Sequence, residues 1–185
     1  YIANTGKVTV VQVDNSRWRR DLVRGLGQVA GLAVDPNAGL LFFSTVDRPA
    51  RIYRAALDGR NASVLVERGL SLPYALAPDF AARKLYFADA ALGKLQSVEY
   101  GGGAVTTLLS AGLASPIGLA VYKYSVYVAD GRLGSVLRTS KWWSTAPTVL
   151  RSGLTALAQV RVYAADAQTV AENHPCARQN GDCSH

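Results

Sequence analysis

The chain of 185 residues has no methionine, two histidines, two cysteines and three tryptophans. The missing methionine predicts a piece of a longer protein. Both histidines, His174 and His185, fall at the far end. The bulk of the chain therefore has no imidazole to act as a general base or as a metal ligand, and a hydrolase triad is not expected. No apolar run approaches the roughly 20 residues that cross a bilayer; Leu40-Leu41-Phe42-Phe43 is among the longest. No signal peptide opens the chain, so any membrane anchor is expected outside this segment. No stretch with an apolar period of 3.6 and helix caps is present either, which leaves helices without a sequence basis.

What is present suits a packed β protein. Hydrophobic residues make up 49% of the chain, enough for a core and too many for intrinsic disorder. Twenty Lys and Arg against thirteen Asp and Glu give a net charge of +7. That excess fits nucleic acid, an acidic partner or an anionic cell surface, and charge alone does not choose among them.

A repeat organises the sequence. Gly-Leu recurs at Gly25-Leu26, Gly69-Leu70, Gly112-Leu113 and Gly153-Leu154, at spacings of 44, 43 and 41 residues. Six positions after each glycine an apolar stretch begins: Gly31-Leu32-Ala33-Val34, Ala75-Leu76-Ala77-Pro78, Gly118-Leu119-Ala120-Val121 and, less regularly, Gln159-Val160-Arg161-Val162. An aromatic-led tetrad comes next, at Phe42-Phe43-Ser44-Thr45, Tyr86-Phe87-Ala88-Asp89 and Tyr127-Val128-Ala129-Asp130, with Tyr1-Ile2-Ala3-Asn4 as a worn opening copy. Then follow alternating stretches, Val8-Thr9-Val10, Ile52-Tyr53-Arg54, Leu95-Gln96-Ser97-Val98 and Val136-Leu137-Arg138, whose period of two marks half-solvated strands. Turns such as Leu57-Asp58-Gly59 and Gly101-Gly102-Gly103 and a fourth short strand complete each unit. Four strands every 41 to 44 residues is the period of a β-propeller blade. The competing architecture, a β-sandwich with evenly spaced strands, gives no reason for the same elements to recur in fixed order.

Taken together, Gly31-Leu32-Ala33-Val34-Asp35-Pro36, Arg51-Ile52-Tyr53-Arg54-Ala55-Ala56-Leu57-Asp58-Gly59 and Lys84-Leu85-Tyr86-Phe87-Ala88-Asp89-Ala90 resemble the YWTD repeats of the low-density lipoprotein receptor family. The end of the chain, Asn173-His174-Pro175-Cys176 through Asn180-Gly181-Asp182-Cys183-Ser184-His185, looks like the opening of the EGF-like module that follows such propellers. The fold this implies is all-β: a partial YWTD-type propeller over residues 1–170, with repeats at about 1–41, 42–85, 86–126 and 127–163, and a truncated EGF-like start over 171–185. Family propellers have six blades, so about four of six are expected here. An open arc of that size would expose a blade face and strand edges.

The resemblance also carries residue-level expectations. It implies that the tetrad aspartates, kept as Asp89 and Asp130 but replaced by Asn4 and Thr45, hydrogen-bond between blades. The other repeat carboxylates, such as Asp35, Asp58 and Asp79, read as turn caps or blade bridges. The resemblance further implies that Cys176 and Cys183 pair with cysteines beyond His185. The segment Glu172-Asn173-His174-Pro175 lacks the acidic pattern of calcium-binding EGF modules, so no calcium, no other metal and no cofactor are expected. The innermost strands supply no converging carboxylates, and no catalytic residue is assigned.

Asn61-Ala62-Ser63 is the one N-glycosylation sequon and falls in an expected hairpin. Arg17, Arg19, Arg20 and Arg24 cluster around Trp18; they read either as a solvated rim or as a patch that meets an acidic partner, the receptor's own acidic modules or heparan sulfate. Lys141-Trp142-Trp143 replaces the glycines of the other hairpin turns, and Trp142 or Trp143 is a candidate partner anchor. The family implies a non-enzymatic extracellular module for ligand binding or release, in an endocytic or signalling receptor that cycles through endosomes. A nidogen-type matrix protein resembles the chain as well. An RNA-binding propeller of the NHL kind and a metal-dependent propeller hydrolase or lactonase are the alternatives; the Leu-Asp-Gly turn and the EGF-like end speak against nucleic acid.

Overall fold

The computed structural model describes residues 1–11, 18–142 and 145–164. Three antiparallel sheets account for the ordered chain. The strands β3 (Leu40–Thr45), β4 (Arg51–Ala56) and β5 (Ser63–Val66) join the second half of a long strand, β2 (Arg19–Asp35), to form the first blade. The second blade runs β6 (Pro73–Asp79), β7 (Lys84–Asp89), β8 (Lys94–Glu99), β9 (Thr106–Leu109). The third runs β10 (Pro116–Tyr122), β11 (Ser125–Asp130), β12 (Ser135–Ser140), β13 (Thr148–Arg151). The innermost strands β2, β6 and β10 pack on one another in sequence, so the sheets fan about a shared axis as propeller blades do.

Alternation explains how each sheet is buried on both faces. Successive side chains of a strand point to opposite faces. In β3, Phe42 turns toward the second blade, where it packs with Ile52, Leu76, Leu85, Phe87, Val98 and Tyr100. Its neighbour Phe43 turns the other way, onto Val8, Leu22 and Leu26, and stacks on Tyr53 at 5.0 Å between ring centroids. The second blade repeats the scheme: Phe87 faces back, while Tyr86, Ala88 and Leu95 face forward onto Leu119, Val126 and Val128 of the third blade. The tetrad strand is therefore the central plank of the core, and Phe42, Phe43, Leu85, Phe87, Val126 and Val128 are all fully buried.

The Gly-Leu pairs have a backbone explanation. Gly25, Gly69, Gly112 and Gly153 all adopt a positive φ, at 74°, 72°, 82° and 72°. Each is the corner where the chain leaves an outermost strand for the next innermost one, in a conformation that costs glycine little and other residues more.

The first and last copies differ from the complete blades. The periodicity places separate strands at Tyr1–Asn4 and Val8–Val10, but Ile2–Val11 is a single strand, β1, paired with the first half of β2 from Thr5↔Gln28 to Val11↔Arg19. In complete blades the tetrad strand lies between an innermost strand and its own alternating strand. In this opening copy β1 continues unbroken from tetrad to alternating stretch, and β2 is its one paired neighbour among the described residues. At the other end Val160–Val162 forms no strand. A Cβ on Gly118 would lie 2.8 Å from the Gln159 Cα, much as one on Gly31 would lie 2.7 Å from the Tyr74 oxygen of β6. Residues 159 and 160 thus occupy the place of a next innermost strand, and among the described residues no strand ladders with them. Among the described residues the arc is three complete blades with a hairpin in front.

Candidate interaction surface

Two rims bound the arc, and different chemistry holds each. At the rim where the interblade connectors enter, the tetrad aspartates act as clamps. The fully buried Asp89 carboxylate accepts from the backbone N–H groups of Ser71, Leu72, Ala91 and Leu92, at 2.6 to 3.1 Å. Asp130 does the same for Ala114, Ser115, Arg132 and Leu133. One carboxylate thus caps the turn after its own strand and pins the connector from the preceding blade. A buried carboxylate is tolerable there because several donors solvate it. In the first blade Thr45 cannot do this, and Asp47, two residues on, accepts from Gln28 N–H instead. Gln28 stands where Leu72 and Ser115 stand in the later repeats, so the clamp has moved along the chain rather than been lost. Ser44 adds a further tie, accepting from Gly31 N–H and donating to the Pro73 carbonyl of the next blade.

The opposite rim is tied by side chains that reach backward one blade. Tyr100, just past β8, donates to the Asp35 carboxylate at 2.8 Å. Lys141, at the equivalent point just past β12, forms an ion pair with Asp79, both side chains being nearly inaccessible. Asp35 and Asp79 also cap their own turns through Ala38 and Ala82 N–H. Sequence reasoning missed Asp47, Tyr100 and Lys141 as ties. The signal for the last two was there: each occupies the first position after the third strand of consecutive repeats.

Burial pushes the Tyr86 hydroxyl up to about 12, helped by the charges of Asp79 and Glu99. Tyr100 is raised further, first by burial and then by its bond to Asp35. A raised folded-state value means that the neutral phenol contributes fully below the ordinary value of 10.0 and that this contribution is lost as pH climbs toward 12. Thermal melts should hold steady up to pH 10 and fall steeply over the next two units, and the part of the tyrosinate absorbance that is lost in Tyr86→Phe with Tyr100→Phe should appear only together with unfolding. Appearance of that part near pH 10 in a protein still folded would contradict the burial of these two phenols.

The residues singled out in the sequence gather on this second rim, in connections between third and fourth strands. Trp18, Arg19 and Arg20 sit where β1 turns into β2, all exposed. Asn61 lies in the β4–β5 turn, exposed and at φ 54°. Trp142 follows β12, 56% exposed, with Lys141 Nζ 5.5 Å from its ring centroid. Tyr124, 75% exposed, is next to it, since Lys141 N–H donates to the Tyr124 carbonyl. The first and third blades keep Trp18 and Trp142 apart, so these form two patches rather than one. Arg24 lies toward the other rim, paired with Asp21 at 3.2 Å. Arg17, Trp143, Cys176 and Cys183 lie outside the described residues, as does the whole of 171–185. No group of three or more His, Cys, Asp or Glu placed to hold a metal ion occurs among the described residues.

Radial four-stranded blades with an aspartate clamp at the end of each intact tetrad strand define a segment of a YWTD-type β-propeller. The chain is 34% identical over 155 residues to mouse low-density lipoprotein receptor-related protein 5 and 33% identical over 155 residues to the human protein. Each match takes in 83% of this chain and 10% of the relative, so the chain spans about a tenth of the length of these relatives. A chain in the crystal structure of the nidogen/laminin complex superposes with a TM-score of 0.76 at 23% identity, covering 86% of this chain and 61% of that one, a likeness of fold. No family model matches the chain. It belongs to the low-density lipoprotein receptor-related family of YWTD-repeat propellers.

Proposed function

We propose that the segment is a non-enzymatic binding module of an extracellular, cell-surface receptor, and that protein ligands engage the second rim through Trp142. The observation that carries this reading is the bracing of Trp142. A half-exposed indole is set beside a lysine that is itself locked in a buried ion pair to the preceding blade. A large aromatic held rigid at a rim loses little entropy on binding and is the type of residue that anchors interfaces. The relatedness to receptor-related protein 5 supports a receptor setting, and the propeller in the nidogen/laminin structure supports protein partners. Endocytic or Wnt signalling roles, passage through endosomes and a glycan on Asn61 belong to the same reading.

The test is a screen of purified secreted proteins against the immobilised 185-residue chain by biolayer interferometry. A partner whose affinity falls at least about tenfold with Trp142→Ala, the fold being retained by circular dichroism, supports the reading. Binders indifferent to that substitution overturn the role of the rim. Turnover of an ester or lactone on adding a divalent ion, or tight salt-sensitive binding of single-stranded RNA, would replace it with another function.

A further inference from the structure

We propose that the outward face of the β1–β2 hairpin is a docking site for a linear sulfated glycan, held by Lys7, Arg19, Arg20 and Arg24, with Asp21 as a built-in counter-ion that limits the affinity. An open groove of about 480 Å³ runs along this face, lined by these residues and Thr9. In the complete blades the equivalent face is apolar, presenting Leu85 and Phe87 or Val126 and Val128 to the preceding sheet. The hairpin instead turns Lys7, Arg19 and Arg24 outward against one carboxylate, with Arg20 at the margin of the groove, where it reaches the first blade.

Asp21 is well held: it accepts from Lys7 Nζ at 2.9 Å and Thr9 Oγ1 at 2.8 Å and pairs with Arg24 at 3.2 Å. Lys7 and Arg24 share that one carboxylate, which offsets a single charge. Arg19 and Arg20 have no carboxylate partner among the described residues, and Arg20 reaches the Asp58 carbonyl, at 3.4 Å. Arg19, paired across the hairpin with Val11, and Arg24, paired with Lys7, stand at opposite ends of the face, five residues apart, which spreads charge over ~16 Å of groove. An acidic peptide would gain most by adding a strand to the free edge of β1. Gly6, at φ 80°, interrupts the extended run of that edge, so no continuous ladder forms. A sulfated polysaccharide needs no ladder, only cations at intervals, and its binding weakens steeply with salt as counterions are released.

The inference rests on the hairpin alone and stands or falls separately from the receptor reading. The experiment measures binding of the full 185-residue chain to immobilised heparin across a salt series, with poly-glutamate as competitor. Arg19→Ala with Arg20→Ala should weaken binding at least about tenfold and flatten the salt dependence. Arg132→Ala with Arg151→Ala, the same charge change on the third blade, should cost less than about twofold. Asp21→Asn, which frees Lys7 and Arg24, should tighten binding about threefold or more. Equal losses in the two double variants, weaker or unchanged binding in Asp21→Asn, or poly-glutamate competing as well as free heparin would each overturn the assignment.

Discussion

Asp89→Ala should remove about 4 kcal/mol of stability, a large share of the 5–15 kcal/mol typical of a folded domain. The variant deletes a fully buried carboxylate that solvates four backbone N–H groups, and no other acceptor reaches those of Ser71 and Leu72 on the connector. Charge-assisted bonds of this kind contribute about 1.5–3 kcal/mol each and are not additive, so the total falls below their sum. Urea unfolding should show the midpoint lowered by more than about 1 M. Asp89→Asn keeps the shape but turns one acceptor into a donor facing an N–H, and should lose about half as much. Equal stability of the Asn variant and the native chain would show that the charge is irrelevant and that only the side-chain oxygen matters. A negligible effect of Asp89→Ala would remove the clamp from the account of how blades are joined.

Lys141→Ala should cost about 3–5 kcal/mol, because it strands the Asp79 carboxylate in a nearly inaccessible site. The logic of a buried pair is asymmetric: breaking it is severe, while replacing both members by neutral groups is often tolerated. Lys141→Met combined with Asp79→Asn should therefore recover most of the loss, since methionine retains the apolar stem and asparagine can still accept from Ala82 N–H. A chemical-denaturation cycle over the native chain, Lys141→Met, Asp79→Asn and the double variant measures the coupling. If the double variant is as unstable as Lys141→Ala, the loss comes from packing and not from the unpaired charge. The same cycle bears on function, because the ammonium that crosses to the preceding blade also braces Trp142.

The three complete blades lean on each other in one direction. Tyr100 reaches back to Asp35, Lys141 reaches back to Asp79, and Arg54 reaches forward to the Tyr100 carbonyl at 2.6 Å. The third blade has Tyr122 in place of the aspartate, and Arg138, the counterpart of Arg54, is exposed. An apolar position shows the same difference: Leu150 of β13 is about half exposed, whereas its counterpart Leu108 is buried against the next blade. Among the described residues no further sheet packs on the outer face of the third.

Much of this was legible in the one-dimensional pattern because it depends on near neighbours. Strand period, alternation and the glycine corners each follow from local backbone sterics and side-chain direction, which hold wherever the segment ends up. The four Gly-Leu pairs mark the repeat period, and the apolar stretch, aromatic-led tetrad and alternating stretch follow them in the order of the strands in each blade. Where the reading failed, a local pattern lacked its distant partner. Tyr1–Asn4 and Val160–Val162 carry the marks of blade strands, but a strand needs a neighbour to ladder with, and among the described residues no innermost strand pairs with the first and no tetrad strand with the second.

The joints themselves were decided only by the tertiary structure. Tyr100 and Asp35 are 65 residues apart, and nothing in either neighbourhood says that the two meet. Asp47 replaces a lost clamp from a position two residues along, which a fixed-register comparison of repeats passes over. Arg24 belongs to a basic cluster in the sequence, and folding sets Asp21 between it and Lys7. Hydrogen bonds and ion pairs act over a few ångströms, so their partners are named by how the blades stack and not by the order of residues along the chain.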